Sequence, residues 1–541
     1  MKSANDTSLG TYDYVIVGGG TAGCLLANRL SADPEISVLL LEAGGRDDYL
    51  WIHIPVGYLY CMNNPRTDWC FKTEVEPGLG GRAINYARGK VLGGCSSING
   101  MIYMRGQARD YDHWRQLGNA GWGWDDVLPY FRQHEDFVHG ADDRHGSGGE
   151  WRIEEQRLHW PILDAVRDAA VAVGIPRVSD FNRGDNLGIG YFQVNQRRGV
   201  RVNAAKAFLR PARGRPNLRI VLRAHAKRVL LEDGRAVGAE VSIDGRDAAV
   251  AARGEVILAA GAIGSPHLLE LSGIGGGERL RGLGIDVIRE SPGVGENLQD
   301  HLQLRLVYKI RNALTLNQLA GTLRGKAAIA LEYLLKRSGP MSMAPSQLGA
   351  FAKSDPRLET PDLQYHVQPL SLDRFGEPLH PFPAITASVC NLRPESRGSV
   401  HAAAPHFGTS PSIRPNYLAT ARDRRVAAEA IRLTRRIMAA KPMEPHAPEE
   451  FRPGAARQDD DDLARAAGEI GTTIFHPVGT VRMGSDSGAV VDERLRVRGI
   501  DRLRVIDASV MPAITSGNTN APTLMIAEKG AAMLREDRRR P

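Results

Sequence analysis

The sequence predicts an α/β fold: a Rossmann-like dinucleotide-binding sheet joined to a second, α+β domain that carries an antiparallel sheet. Three observations point there. Residues 12–42 read as strand, glycine turn, helix and second strand. Residues 255–273 repeat the strand–glycine–helix pattern. Residues 502–509 form one more strand ending in small residues, which brings the far end of the chain back to the same sheet.

In the first unit an apolar run ends at Gly18-Gly19-Gly20, and Gly18-x-Gly20-x-x-Gly23 occupies the turn. Gly18 permits the tight turn, Gly20 admits a pyrophosphate to the backbone, and Gly23 allows close helix–strand packing. The free N–H groups of the helix beginning near Thr21 would hold the phosphates. The second strand, Val38–Leu41, stops at Glu42, placed to accept both ribose hydroxyls and to repel a 2′-phosphate. The spacing does not choose between NAD and FAD.

An aromatic-rich cover follows at 49–75. Next comes Ala87–Gly100, too rich in glycine and small residues for an amphipathic helix or a strand and suited to close approach by a flat ring or a phosphate. Residues 109–137 read as two helical pieces broken at Gly121 and Gly123, and 199–260 as a β-meander. Residues 311–470 change character: helices at 323–336 and 423–440 surround β-prone segments such as Asp362–Val367. A helix is expected at 521–534.

The 541 residues suit two or three domains, and no apolar run approaches the roughly 18–20 residues of a membrane span. With no apolar signal core at the N-terminus, the expected location is the cytoplasm. Five cysteines (Cys24, Cys61, Cys70, Cys95, Cys390), odd in number and without C-x-x-C spacing, argue against a disulfide framework and a structural metal. The net charge of +7 is mild, and no basic stripe with interleaved aromatics suggests nucleic acid. The cluster Arg538-Arg539-Arg540 reads as a solvated tail, with weak peripheral attraction to an anionic membrane as the alternative.

These pieces resemble the glucose–methanol–choline (GMC) oxidoreductases, FAD enzymes that oxidise alcohols, from Tyr12 to about Leu534. Gly89–Asn99 resembles the family's first signature and Gly261–Gly275 its second. His476-Pro477-Val478-Gly479-Thr480 followed by Gly517–Thr523 resembles its C-terminal motif. Pro292–His301 is similar to the bacterial choline and alcohol dehydrogenase branch.

The resemblance implies FAD, with 1–160, 200–310 and 471–541 as its binding domain and 161–199 and 311–470 as the substrate domain. Gly18, Gly20, Thr21, Ala22, Gly23, Glu42 and Ala43 would hold the ADP part, and the Val229 backbone would read the adenine. Val91, Asn99, Gly100, Met101 and Ile102 would lie along the flavin. Asp507 and Ala508 would close the phosphate side, with Asn518 and Thr519 beside the ring. Ile98 stands where some members carry a flavin-linking histidine, so the flavin is expected to be non-covalent.

Alcohol oxidation needs a base near neutrality and a donor to the developing alkoxide. The family's His/Asn pair implies His476 as base and Asn520 as donor; His267, His301 and His366 are read as structural. Gln347 stands where choline-acting members carry an acid, which argues against choline. The implied partners are a primary alcohol, aliphatic or aromatic, and a quinone or similar acceptor. An O₂-using oxidase, a choline dehydrogenase and a hydroxynitrile lyase with structural FAD remain alternatives. Oligomeric state is open.

Overall fold

The computed structural model describes residues 7–374 and 376–539; Arg540, the last arginine of the C-terminal cluster, lies outside them. The first sheet is built around β1 (Thr7–Val17) and β2 (Val38–Glu42), parallel and linked by helix α1 (Thr21–Leu30). β3 (Leu218–Leu222) extends the parallel edge beyond β2. β4 (Ala224–Glu232), β5 (Arg235–Ile243) and β6 (Arg246–Leu258) form the antiparallel meander, and β6 returns parallel to β1. The spatial order is β3-β2-β1-β6-β5-β4, with Leu503–Val505 added parallel to β6.

β2 is buried at every position, so its Val-Leu-Leu-Leu run shows no alternation. α1 is apolar nearly all round because it is enclosed between this sheet and the C-terminal helix, with Arg29 bridged to Glu528 at 2.7 Å. Helix α2 (Gly261–Leu271) follows β6.

The second sheet is antiparallel throughout. It contains β7 (Leu302–Lys309), β8 (Leu348–Ala352), β9 (Leu363–Gln368) and β10 (Ala384–Asn391), ordered β7-β10-β9-β8. Gly188–Tyr191 pairs beyond β8, while Glu449–Arg452 and Gly471–Thr473 pair with β7. β7 and Gly471–Thr473 therefore belong to this sheet, although the sequence reading placed both in the nucleotide-binding part.

One face of this sheet carries Leu304, Leu306, Tyr365, Val367, Ile385 and Val389 into a core shared with α4 (Ala421–Met438); the intervening helix α3 is Leu323–Lys336. The opposite face carries Gln303, Arg305, Gln364, His366, Gln368, Thr386 and Ser388, all buried. The period-2 pattern here divides apolar core from polar cavity wall, not core from solvent. The chain closes with α5 (Asn520–Arg539). Among the described residues no helix is long and apolar enough to cross a membrane.

Candidate active site

A single cavity runs from the glycine turn of the first sheet to the polar face of the second. At one end Gly18 has φ +108°, and a Cβ there would lie 2.5 Å from the Ala259 carbonyl oxygen. A Cβ on Gly23 would meet the Gly18 oxygen at 1.8 Å, so α1 approaches β1 as closely as backbone allows. Gly20 occupies the N-cap of α1 with no side-chain cap, leaving first-turn amides facing the cavity. Against this loop lies the first signature: Gly93 N–H donates to the Gly19 oxygen at 2.8 Å.

Glu42 accepts N–H groups of Gly19 (2.8 Å) and Gly44 (2.6 Å), one on each oxygen. Burial nevertheless pushes its pKa up to about 7. Each oxygen keeps a free lone pair toward the cavity, enough for a ribose diol. Asp507 is fully engaged, accepting from Gly261 N–H and Ser265 on one oxygen and from Ser509 on the other. It ties the start of α2 to the C-terminal segment.

Of the residues singled out for the ADP part, Gly18, Gly20, Thr21, Ala22, Glu42 and Ala43 line the cavity, as do Asp507 and Ala508. So do Asn99, Gly100, Met101 and Ile102 in the middle stretch, and Asn518, Thr519 and Asn520 opposite. Val91 does not: it is fully buried among Ile52, Cys61 and Ile98. Val229 also falls off the wall, its N–H donating to Ser272 Oγ at 2.8 Å, and Ala224, His225 and Ala226 line the cavity there instead. The β4–β5 register shifts between Glu240 and Val241, where β4 passes from Arg228 to Ala226.

At the far end, His476 is held by a chain of hydrogen bonds whose directions follow from its anchor. His301 Nε2 lies 3.2 Å from the Leu392 carbonyl, which can only accept, so this nitrogen carries the proton. Burial holds the His301 pKa down to about 4, so the ring is neutral and its Nδ1 is bare. Nδ1 then accepts from His476 Nδ1–H at 3.1 Å. The His476 pKa is lowered well below the ordinary value, first by burial, then by His301, His366 and Arg88. His476 is therefore neutral with its Nε2 lone pair facing the cavity. Its main-chain N–H is pinned on Asp300 Oδ1 at 2.8 Å, and the other Asp300 oxygen is held by the hydroxyls of Tyr86, Tyr417 and Thr473.

His476 bonds to the first asparagine of the C-terminal motif. Asn518 Nδ2, not Asn520, donates to His476 Nε2 at 3.1 Å, while Asn518 Oδ1 accepts from Gln364 at 3.1 Å. Asn520 is the first residue of α5, which turns its carboxamide to the other helix terminus; its oxygen accepts from Thr21 Oγ1 at 2.9 Å. Its buried Nδ2 has no partner, a donor left over on the wall of the cavity.

His301, read from sequence as structural, is part of this chain. His366 lines the same end, its ring tilted against Phe192 with centroids 5.2 Å apart, and Gln303, Gln368 and Ser346 line it too. Sequence reasoning passed over Asp300, Gln303, Gln364 and Gln368, although Asp300 and His301 end the stretch singled out as branch-typical. Gln347, proposed from sequence to face the substrate, turns its amide onto the Ala344 carbonyl at 2.6 Å and is absent from the wall. The carboxylates that line the cavity, Glu42 and Asp507, both lie at the nucleotide end.

The same family model type, GMC oxidoreductase, matches residues 12–303 with its N-terminal part and 394–527 with its C-terminal part. The chain belongs to the GMC oxidoreductase family. It is 40% identical to an oxygen-dependent choline dehydrogenase of Photobacterium profundum, over 96% of this chain and 92% of that one. It is also 40% identical to an alcohol dehydrogenase [acceptor] of Pseudomonas putida, over 97% and 95%. Among solved structures, pyridoxine 4-oxidase from Mesorbium loti superposes with a TM-score of 0.88 at 33% identity, covering 97% of this chain and 99% of that one. This is an FAD oxidoreductase of the GMC type. The uncapped α1 amides, the Glu42 lone pairs and the unpartnered Asn520 Nδ2 fit that cofactor.

Proposed function

We propose that the protein oxidises a primary alcohol, aliphatic or aromatic, to the aldehyde, and passes the electrons to a quinone or another non-NAD acceptor. The observation that carries this reading is the directional chain that leaves His476 Nε2 as a hydrogen-bond acceptor on the cavity, met there by the Asn518 amide N–H. An alcohol hydroxyl that replaces the Asn518 N–H on Nε2 lets that N–H turn to the alcohol oxygen. In that position the hydroxyl donates to His476, and Asn518 donates to the oxygen as it becomes an alkoxide. Bound FAD supplies the hydride acceptor. His301 keeps His476 in the tautomer that accepts the proton, and Asp300 holds its backbone.

The substrate end offers Gln303, Gln368, Ser346 and His366, all neutral groups. That wall suits an uncharged alcohol better than a quaternary ammonium ion, which would be desolvated there without a counter-charge. Choline oxidation is the second reading, favoured by the choline dehydrogenase relatives at the same identity. Ile98 packs among Val91, Ile52 and Cys61 and offers no nucleophile, which supports a dissociable flavin.

The test is anaerobic addition of hexanol, benzyl alcohol or choline, followed by flavin absorbance near ~450 nm. Bleaching by the neutral alcohols and not by choline is expected; bleaching by choline alone overturns the substrate reading. No bleaching with any alcohol would move the protein to the lyase class, and peroxide formation in air would make it an oxidase.

A further inference from the structure

Helix α3 is amphipathic in the wrong sense for a core helix. Leu323, Leu331, Leu334 and Leu335 are 85%, 57%, 68% and 73% exposed. With Ala327 they recur at helical spacing, so they form one outward stripe. The inward side is held by Tyr333, 2% exposed, whose hydroxyl donates to the Gly199 carbonyl at 3.0 Å. Thr322 caps the helix by accepting from Gly325 N–H at 3.0 Å. The helix is thus firmly built and tied down, and its apolar face is left outside.

The charge around that stripe has one sign. Arg324, Lys326, Lys336 and Arg337 lie within or at the end of the helix, and Glu332 is the one acid among residues 323–337. Arg157 donates to the carbonyls of Lys336 and Arg337, bringing a further exposed cation to the C-terminal end. A second copy packed face to face would set these cations against each other. A bilayer with anionic headgroups complements both features, leucines to the acyl boundary and basic side chains to the phosphates.

We propose that α3 is a docking surface for an anionic membrane, lying in the headgroup plane. At 14 residues it is too short to span a bilayer. The chain runs from α3 directly into residues 339–346, where Pro345 and Ser346 line the cavity. Docking there sets the lipid surface beside the substrate end of the site.

The test sediments the flavin-loaded protein with vesicles of phosphatidylcholine alone or with roughly one-third phosphatidylglycerol. Wild type is expected to co-sediment with the anionic vesicles and to be released by salt. Combined Leu331→Ser, Leu334→Ser and Leu335→Ser should lower the bound-to-free ratio by roughly tenfold or more with the flavin spectrum unchanged. Lys326→Glu with Lys336→Glu should remove the preference for anionic lipid. Wild type remaining in the supernatant, or leucine variants that bind as well as wild type, would overturn the proposal. So would a dimer in light scattering that the leucine variants dissolve, since the stripe would then join two copies.

Discussion

Asn518→Ala and Asn520→Ala separate two asparagines that sit two residues apart and do different work. Asn518 Nδ2 lies 3.1 Å from His476 Nε2, on the edge where the alcohol oxygen must sit, whereas Asn520 is bonded to Thr21 at the glycine turn. Removing the Asn518 amide takes away a donor whose hydrogen bond strengthens as the oxygen gains charge. A preorganised donor of this kind is worth about 2.7–4 kcal/mol in the transition state, or about 10²–10³ in rate. Asn520→Ala removes the unpartnered Nδ2 from the cofactor wall and should weaken FAD binding, with little change in rate once the protein is saturated with flavin. The assay is anaerobic stopped-flow bleaching of bound flavin by alcohol, with flavin affinity titrated separately. The Asn518 variant is expected to bleach slowly with near-normal affinity, and the Asn520 variant to show the reverse. A slow Asn520 variant beside a fast Asn518 variant would refute the geometry.

Three further outcomes follow from the same contacts. His476→Ala should keep bound flavin and lose turnover by several orders of magnitude, while His301→Gln should cost roughly tenfold or more by releasing the imidazole from its tautomer; unchanged rates would remove the base assignment and the chain that supports it. Gly23→Ala places a Cβ 1.8 Å from the Gly18 oxygen and should prevent folding of the first sheet, whereas at Gly20 the nearest neighbour is 3.9 Å away, so Gly20→Ala should fold and bind FAD weakly; circular dichroism and flavin titration distinguish the two. His134 is buried with both ring nitrogens unpartnered and its pKa lowered to about 3, so the unfolded chain takes up a proton below about 6.5 that the native chain refuses; urea titrations should show wild type losing about 2 kcal/mol relative to His134→Leu between pH 7.5 and pH 5.

Local steric demands were legible in the sequence, and long-range pairings were not. The turn at Gly18–Gly23 is encoded within six residues, and the helix at 323–336 has the bounds its periodicity predicts. The second sheet was harder: Leu-Gln-Leu-Arg-Leu and Leu-Gln-Tyr-His-Val-Gln alternate as a half-exposed strand would, yet their polar residues are buried. His301 and His476 are 175 residues apart, and nothing in either local segment says that the rings meet. Asn518 and Asn520 share one Gly-Asn-Thr-Asn motif, and only the start of α5 decides which carboxamide turns to His476. The stripe on α3 is the sharpest case. Periodicity reveals that a helix has an apolar face but not which way the face turns, and the usual assumption buries it. Here Tyr333 and the half-buried Ile329 take the inward side, so the segment with the plainest helical pattern is also the one whose surroundings the pattern could not supply.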